Sequence, residues 1–263
     1  MLKESWDARI QRAERLADAG EATRELLAFY GKLLRAQKRV YEYLHSRRGW
    51  LPSGLLEEDL DVARAALPDL LRAVESDGPP ALAEEARLTL RAGRDEIDVL
   101  LLEQWRAPSD VRFFEKAFLQ PYACWLAESG ARPIGRDWER RENLCPFCGG
   151  RPQVSFLQTP EPGAESGGRG LVCSACLTAW PFRRVVCANC GEERPAKLGY
   201  FQSPEYEHIR VEVCDTCRHY IKGIDLTRLG LAVPVVDEVA AAALDVWARE
   251  QGYAKVELNL VGL

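Results

Sequence analysis

The sequence is poor in the residues that much catalytic and membrane chemistry depends on, with one methionine and three histidines in 263 residues. No apolar run approaches the ~18 residues of a membrane span. Val99-Leu100-Leu101-Leu102 is fenced by Asp98 and Glu103. No apolar segment follows Met1-Leu2-Lys3-Glu4-Ser5-Trp6-Asp7, and the Arg-Arg pairs opening at Arg47, Arg140 and Arg183 are internal. No export signal is expected, which places the protein in the cytoplasm. Gly-rich phosphate loops, Gly-x-Ser-x-Gly elbows and His-Glu-x-x-His motifs are all missing. A basic excess is missing too: 35 basic and 40 acidic residues give a net charge of −5, against the positive face of a nucleic-acid-binding domain. Disorder is excluded by 47% hydrophobic and 29% charged residues.

What the chain does have is cysteine. Eight of its nine cysteines form four Cys-x-x-Cys pairs, a spacing suited to metal ligation in a reducing compartment where disulfides do not persist. Cys145 and Cys187, like Cys148 and Cys190, lie 42 positions apart; Cys173 and Cys214, like Cys176 and Cys217, lie 41 apart. This is a tandem repeat of one cysteine module. Sequential grouping is favoured, because each copy then carries a complete site: Cys145, Cys148, Cys173 and Cys176 in the first, Cys187, Cys190, Cys214 and Cys217 in the second. A cross-braced pairing is the alternative. Four thiolates per site make a tetrahedral centre for zinc or a rubredoxin-like iron, and no ligand position stays open for substrate. The metals are then structural or electron-carrying, and hydrolytic catalysis is disfavoured. From Arg141 to Gly223 ten basic and nine acidic residues give +1, which eight thiolates and two divalent ions turn into −3. Nucleic-acid binding is therefore the lesser alternative.

The rest of the chain frames these modules. Leu26, Tyr30, Leu33, Leu34, Gln37, Val40, Tyr41 and Leu44 recur at helical steps. Periodicity to about residue 130 predicts an all-α domain of about five helices. They include a kink or new start at Pro68, one long helix over Ala81–Trp105, and a helix from an N-cap at Ser109 to a stop at Gly130. Ala131–Asn143, with Arg132, Arg136, Arg140 and Arg141, reads as a linker, and Pro160–Gly170 as a polar hairpin loop. Strands are predicted at Pro152–Leu157 and His208–Val213, a helix over Asp237–Glu250, and a strand-like tail over Lys255–Leu260. Cys124 reads as a buried helix cysteine, and His45, His208 and His219 as ordinary surface or hydrogen-bonded histidines. Trp180, Phe182, Arg183 and Arg184 lie between the modules. Packing against the ribbons is one reading of the aromatics; contact with a partner, for which Trp and Arg are favoured anchors, is the other.

The chain resembles formate dehydrogenase accessory proteins of the FdhE type. The residues that carry the resemblance are Leu144-Cys145-Pro146-x-Cys148-Gly149, Arg169-x-Leu171-x-Cys173-Ser174-x-Cys176-x-x-x-Trp180, Arg184-x-x-Cys187-x-x-Cys190, and Glu212-x-Cys214-x-x-Cys217-x-x-Tyr220-x-Lys222. Asp237-Glu238-x-Ala240, Leu244-Asp245 and Gly252-Tyr253 extend it. The resemblance implies a cytoplasmic, non-catalytic maturation factor that binds the catalytic subunit of respiratory formate dehydrogenase, with rubredoxin-like iron in place of zinc. Leu177 and Arg218 follow Cys176 and Cys217 where rubredoxins have glycine, which argues against reversible electron transfer. The expected architecture is a helical domain (1–140), two tandem rubredoxin-like or zinc-ribbon-like four-cysteine modules (141–186 and 187–223), and a C-terminal helix and tail (224–263). An electron carrier with two iron sites is the alternative function.

Overall fold

Ser5 starts the first helix, α1 (Trp6–Ala19), by accepting a hydrogen bond from the Ala8 N–H at 3.1 Å. The computed structural model describes residues 4–47, 49–133, 141–159 and 168–263. Helix α2 (Arg24–His45) buries the expected stripe of Tyr30, Leu33, Leu34, Gln37, Val40 and Leu44, with Leu26 and Tyr41 half-buried at its margin. Then come α3 (Leu56–Ala63), a short 3₁₀ turn, α4 (Leu67–Asp77), α5 (Pro80–Arg91), α6 (Arg94–Arg106) and α7 (Phe113–Ser129). Among the described residues, seven α-helices thus stand where about five were expected. Pro68 sits in the first turn of α4, where its missing N–H costs nothing, so it starts a helix.

The long helix expected over Ala81–Trp105 is broken at Ala92 and Gly93, both extended, which lets α6 turn and bury Leu101 and Trp105. Gly93 is the residue least suited to a helix interior there. Ser109 does not cap α7: its backbone is held by the Gln104 side chain at 3.0 and 3.1 Å, and the helix begins at Phe113. Gly130 ends it at φ +79°, as expected. Pro121 lies inside α7 and has no N–H for the Ala117 carbonyl one turn back. The buried Gln37 Nε2 donates to that carbonyl at 2.8 Å, so a side chain of α2 makes good the defect in α7.

The second half is one sheet. Strands β1 (Pro152–Leu157), β2 (Arg169–Cys173) and β3 (Ala179–Phe182) form an antiparallel meander, as do β4 (Leu198–Gln202), β5 (Ile209–Cys214) and β6 (His219–Asp225). The meanders fuse through parallel pairing of β1 with β6, Val154 opposite Lys222, in the order β3-β2-β1-β6-β5-β4. The arginines 136 and 140 of the expected linker, and residues 160–167 of the expected hairpin loop, lie outside the described residues.

Helix α8 (Pro234–Ala240) packs on β1, β6 and α1. The helix expected over Asp237–Glu250 is interrupted at Ala241, and α9 (Ala242–Glu250) follows. Buried Lys222 takes the Glu238 and Ala241 carbonyls there, so the break has a polar partner. Of the expected strand over the tail only β7 (Ala254–Lys255) forms, parallel to β6. Asn259 Oδ1 then accepts the Val261 and Leu263 N–H groups at 3.0 and 3.1 Å and curls the chain. Arg12 of α1 grips Asp237 of α8 at 2.9 and 2.5 Å, tying the helical half to the sheet. Burial opposes the Asp237 charge, but His208 and Arg12 hold its carboxyl below the usual range. No helix of the described residues is long and apolar enough to cross a membrane.

Candidate metal centres

Each meander carries two cysteine knuckles. One lies on the approach to its first strand, and the other connects its second and third strands. The Gly149 and Gly191 N–H groups return to the Cys145 and Cys187 carbonyls at 2.9 and 3.1 Å, with φ of +70° and +77°. Leu177 and Arg218 take the same left-handed conformation at φ +54° and +56° and are the non-glycine residues with positive φ among the described residues. The knuckle geometry therefore survives without glycine, at a cost of about 1–2 kcal/mol per residue. Both side chains are engaged: Leu177 packs on the core, and the Arg218 guanidinium lies 3.9 Å from the Tyr253 ring centroid and donates to the Gln251 carbonyl at 2.7 Å. At Gly191 a Cβ would meet nothing within 4 Å, so only the backbone opposes substitution. Gly191→Ala is expected to lower stability by about 1 kcal/mol in chemical denaturation without changing metal content.

The knuckles bring the thiols together in sequential quartets: Cys145, Cys148, Cys173 and Cys176 form one, and Cys187, Cys190, Cys214 and Cys217 the other, the Sγ atoms within 4.8 Å of one another. Cross-bracing is absent from this arrangement. In the first quartet the Cys145–Cys176, Cys148–Cys173 and Cys148–Cys176 separations are 3.6, 3.5 and 3.5 Å. In the second, Cys187–Cys217 and Cys190–Cys214 are 3.7 and 3.8 Å. A metal–sulfur bond of about 2.3 Å in a tetrahedron separates sulfurs by about 3.8 Å, so both quartets fit an ion held by four sulfurs. Backbone N–H groups of Ala175 and Asn189 point at Cys173 and Cys187 Sγ at 3.4 and 3.3 Å, as donors to thiolate do.

Surroundings distinguish the two quartets. All four cysteines of the first are buried; in the second Cys190 is exposed and Cys217 half-buried. Burial pushes the Cys173 and Cys176 thiols well above the ordinary range. It also pushes at Cys217, but hydrogen bonds from Asn189 and Cys190 and from the backbone at His219 bring that thiol down to about 7. The first quartet lies against α7: Gln120 Nε2 donates to the Ser174 carbonyl at 2.9 Å and the Cys124 thiol to the Cys176 carbonyl at 3.3 Å. Cys124 is buried, as expected, and burial raises its thiol to about 12. The second quartet is laced at the surface by Glu192, which accepts from Thr216 Oγ1 at 2.6 Å and from Arg194.

The segment between the modules divides in two. Trp180 and Phe182 are buried in β3, the indole donating to the Glu142 carbonyl at 2.9 Å and the Phe182 ring lying under Arg169. Arg183 and Arg184 are exposed, and Arg183 pairs with Glu142 and Glu193 at 3.1 and 2.8 Å.

Two family models match the half that holds the quartets: the FdhE central domain over residues 144–184 and the FdhE C-terminal domain over 185–261. A protein FdhE homolog from Aquifex aeolicus is 39% identical over 197 residues, 73% of this chain and 68% of that one. The chain belongs to the FdhE family. An FdhE homolog from Haemophilus influenzae is 32% identical over 153 residues, and FdhE of Escherichia coli 33% over 152, each match covering 57% of this chain. These alignments span 49% and 48%, about half, of the relatives' own lengths. The crystal structure of the FdhE protein from Pseudomonas aeruginosa superposes with a TM-score of 0.70 at 23% identity, over 98% of this chain and 96% of that one. The FdhE fold thus takes in the helical half as well.

One group in this FdhE chain was not singled out from the sequence. Lys222, Lys255, Glu238 and Asp245, all with side chains 0% exposed, form a closed ionic cluster behind the second module. Tyr220 donates to Asp245 Oδ1 at 2.7 Å. Burial opposes the Asp245 charge, but Lys222 and Lys255 hold its carboxyl below the ordinary range; burial and Lys255 lower Lys222. The signal was a lysine in the apolar run Tyr220-Ile221-Lys222-Gly223-Ile224, in phase with Tyr220 and Ile224 on the covered sheet face.

Proposed function

We propose that this FdhE-family chain is a non-catalytic cytoplasmic maturation factor that binds the catalytic subunit of respiratory formate dehydrogenase and is needed for its activity. The observation that carries the reading is the pair of closed thiol quartets in a chain of this family. Each quartet holds one zinc or iron ion whose four positions are taken by cysteine, which leaves a shaping role and no substrate site. Cys145, Cys148, Cys173 and Cys176 would hold one ion and Cys187, Cys190, Cys214 and Cys217 the other, with Arg183 and Arg184 as candidate partner contacts. Elemental analysis after oxygen-free purification should give about two atoms of zinc plus iron per chain. One atom per chain, or nitrogen and oxygen ligands by X-ray absorption, would refute it.

The functional test is removal of the gene from a formate-respiring cell. Formate dehydrogenase activity should fall, the chain should restore it, and the purified protein should capture the catalytic subunit. Full activity in the deletion strain would end this reading. One feature favours the electron-carrier alternative: the exposed Cys190 gives the second quartet a short path to solvent. A reversible potential at an iron-loaded second site would support that role, and a redox-silent zinc protein would exclude it.

A further inference from the structure

Among the described residues, strand β4 is an open edge of the sheet. The Asp215 N–H donates to the Lys197 carbonyl at 2.9 Å, and this sets the phase of the ladder. Gly199 and Phe201 exchange hydrogen bonds with β5, so the N–H and C=O groups of Tyr200 and Gln202 point away from the sheet, while the Leu198 N–H is taken by the Pro195 carbonyl. Natural edges are commonly blunted by proline, lysine or a charge, and Leu198-Gly199-Tyr200-Phe201-Gln202 has none of these. The other edge, β3, contains Pro181. Tyr200 is 66% and Phe201 46% exposed, yet the edge is held in place: on the helix-covered face Phe201 packs on Trp247, ring centroids 4.8 Å apart.

On the opposite face β4 borders a recess of about 430 Å³ whose walls include Tyr200, Arg210, Arg184 and Val185. Val185 is 54% exposed, so an apolar surface adjoins the open edge. Glu212 is fully committed, one carboxylate oxygen to Arg210 at 2.9 and 2.6 Å and the other to Arg169 at 2.5 Å. Three arginines therefore face one carboxylate, and Arg184 makes no ion pair among the described residues. A loaded second quartet adds −2 through the recess wall at Cys187 and Cys214 and cancels the net +2 of these side chains, so the charge left facing a partner is the local one of Arg184, suited to one acidic side chain rather than a multiply charged ion.

We infer that β4 and this recess dock an extended segment of a partner protein, which adds a strand to the sheet and sets an acidic side chain against Arg184. Main-chain hydrogen bonds supply affinity in this mode, and the side-chain recess supplies selectivity. The inference rests on the proposed role as a factor that binds another protein, and its test separates the two.

The full, metal-loaded chain is assayed for binding to the purified formate dehydrogenase catalytic subunit. Tyr200→Pro removes one outward N–H, and Arg184→Glu reverses the charge at the recess. Each should weaken binding at least tenfold with metal content and melting unchanged, while Leu88→Lys on the helical half stays within twofold. Wild-type affinity in Arg184→Glu, or in a folded Tyr200→Pro, overturns the surface. If the unaltered chain does not bind that subunit, the proposed function fails and the surface is judged with peptides. An acetylated (Val-Asp)4 amide should slow amide exchange at Tyr200, and (Val-Lys)4 should not. No protection, or equal protection by both, overturns the inference. So does a dimer of the chain alone that Tyr200→Pro dissolves, since the occupant is then a second copy.

Discussion

Cys173→Ser is expected to abolish the cooperative melting of the sheet and to loosen α7 with it, whereas Cys190→Ser should release one metal and leave most of the fold standing. The first quartet is buried against α7 through Gln120 and Cys124, while the second lies at the surface beside the largely exposed β4. Structural zinc supplies on the order of 10 kcal/mol of apparent binding energy, comparable with the whole stability of a domain. Metal content and melting followed by circular dichroism check the asymmetry. Equal losses from the two variants would show that burial does not rank the centres. Intact helix signal in a metal-poor Cys173→Ser chain would show that α7 stands without the quartet.

Asp245→Leu should be the most damaging change away from the metals. It leaves Lys222 and Lys255 sharing Glu238 in a site closed to water. Removing one partner of a buried pair costs about 3–5 kcal/mol. In a chain of this size that lowers the melting temperature by roughly 10 °C. The double change Lys222→Met with Asp245→Leu removes one charge of each sign and keeps Lys255 on Glu238 at 2.7 Å. It should recover most of the loss, an effect that a denaturation cycle over the four proteins measures. A double variant no more stable than Asp245→Leu would show that packing, not charge balance, dominates the site.

The metal centres were legible because chemistry fixed their spacing: two thiols of one quartet must converge from a short turn, and the turn length is written in the sequence. Grouping followed from the repeat for the same reason. Helix count was less legible. The break at Gly93 depends on where α6 must turn to bury Trp105, and the break at Ala241 on a lysine from β6, a strand earlier in the chain. Ser109 had the composition of a cap, but the Gln104 side chain claimed its backbone first. Trp180 and Phe182 illustrate a limit of composition, since the residues favoured at interfaces also fill cores; here they are interior, and the arginines beside them are at the surface. Lys222 and Asp245 stand in the family pattern without showing a role, because a closed pair of charges becomes visible only when a strand and a helix meet.

The parallel ladder between β1 and β6 carries a consequence for biosynthesis. Val154 and Lys222 are partners across 68 positions of chain, and no shorter route closes the sheet. While the intervening residues are still being made, β1 has β2 on one side and an open flank on the other. That flank presents unpaired backbone groups, and the face beside it carries Val154 and Phe156, apolar residues buried in the finished protein. A nascent chain halted before residue 222 therefore offers an unpaired strand to any neighbour that can match it. The last strand of the second module, already bound to its own quartet through the Cys214–Cys217 knuckle, acts as the clasp that ends this exposure. If the later quartet orders that strand only when loaded, metal supply sets how long the earlier half stays adhesive. A cell starved of the ion would accumulate aggregates seeded by residues far from the centre that is empty.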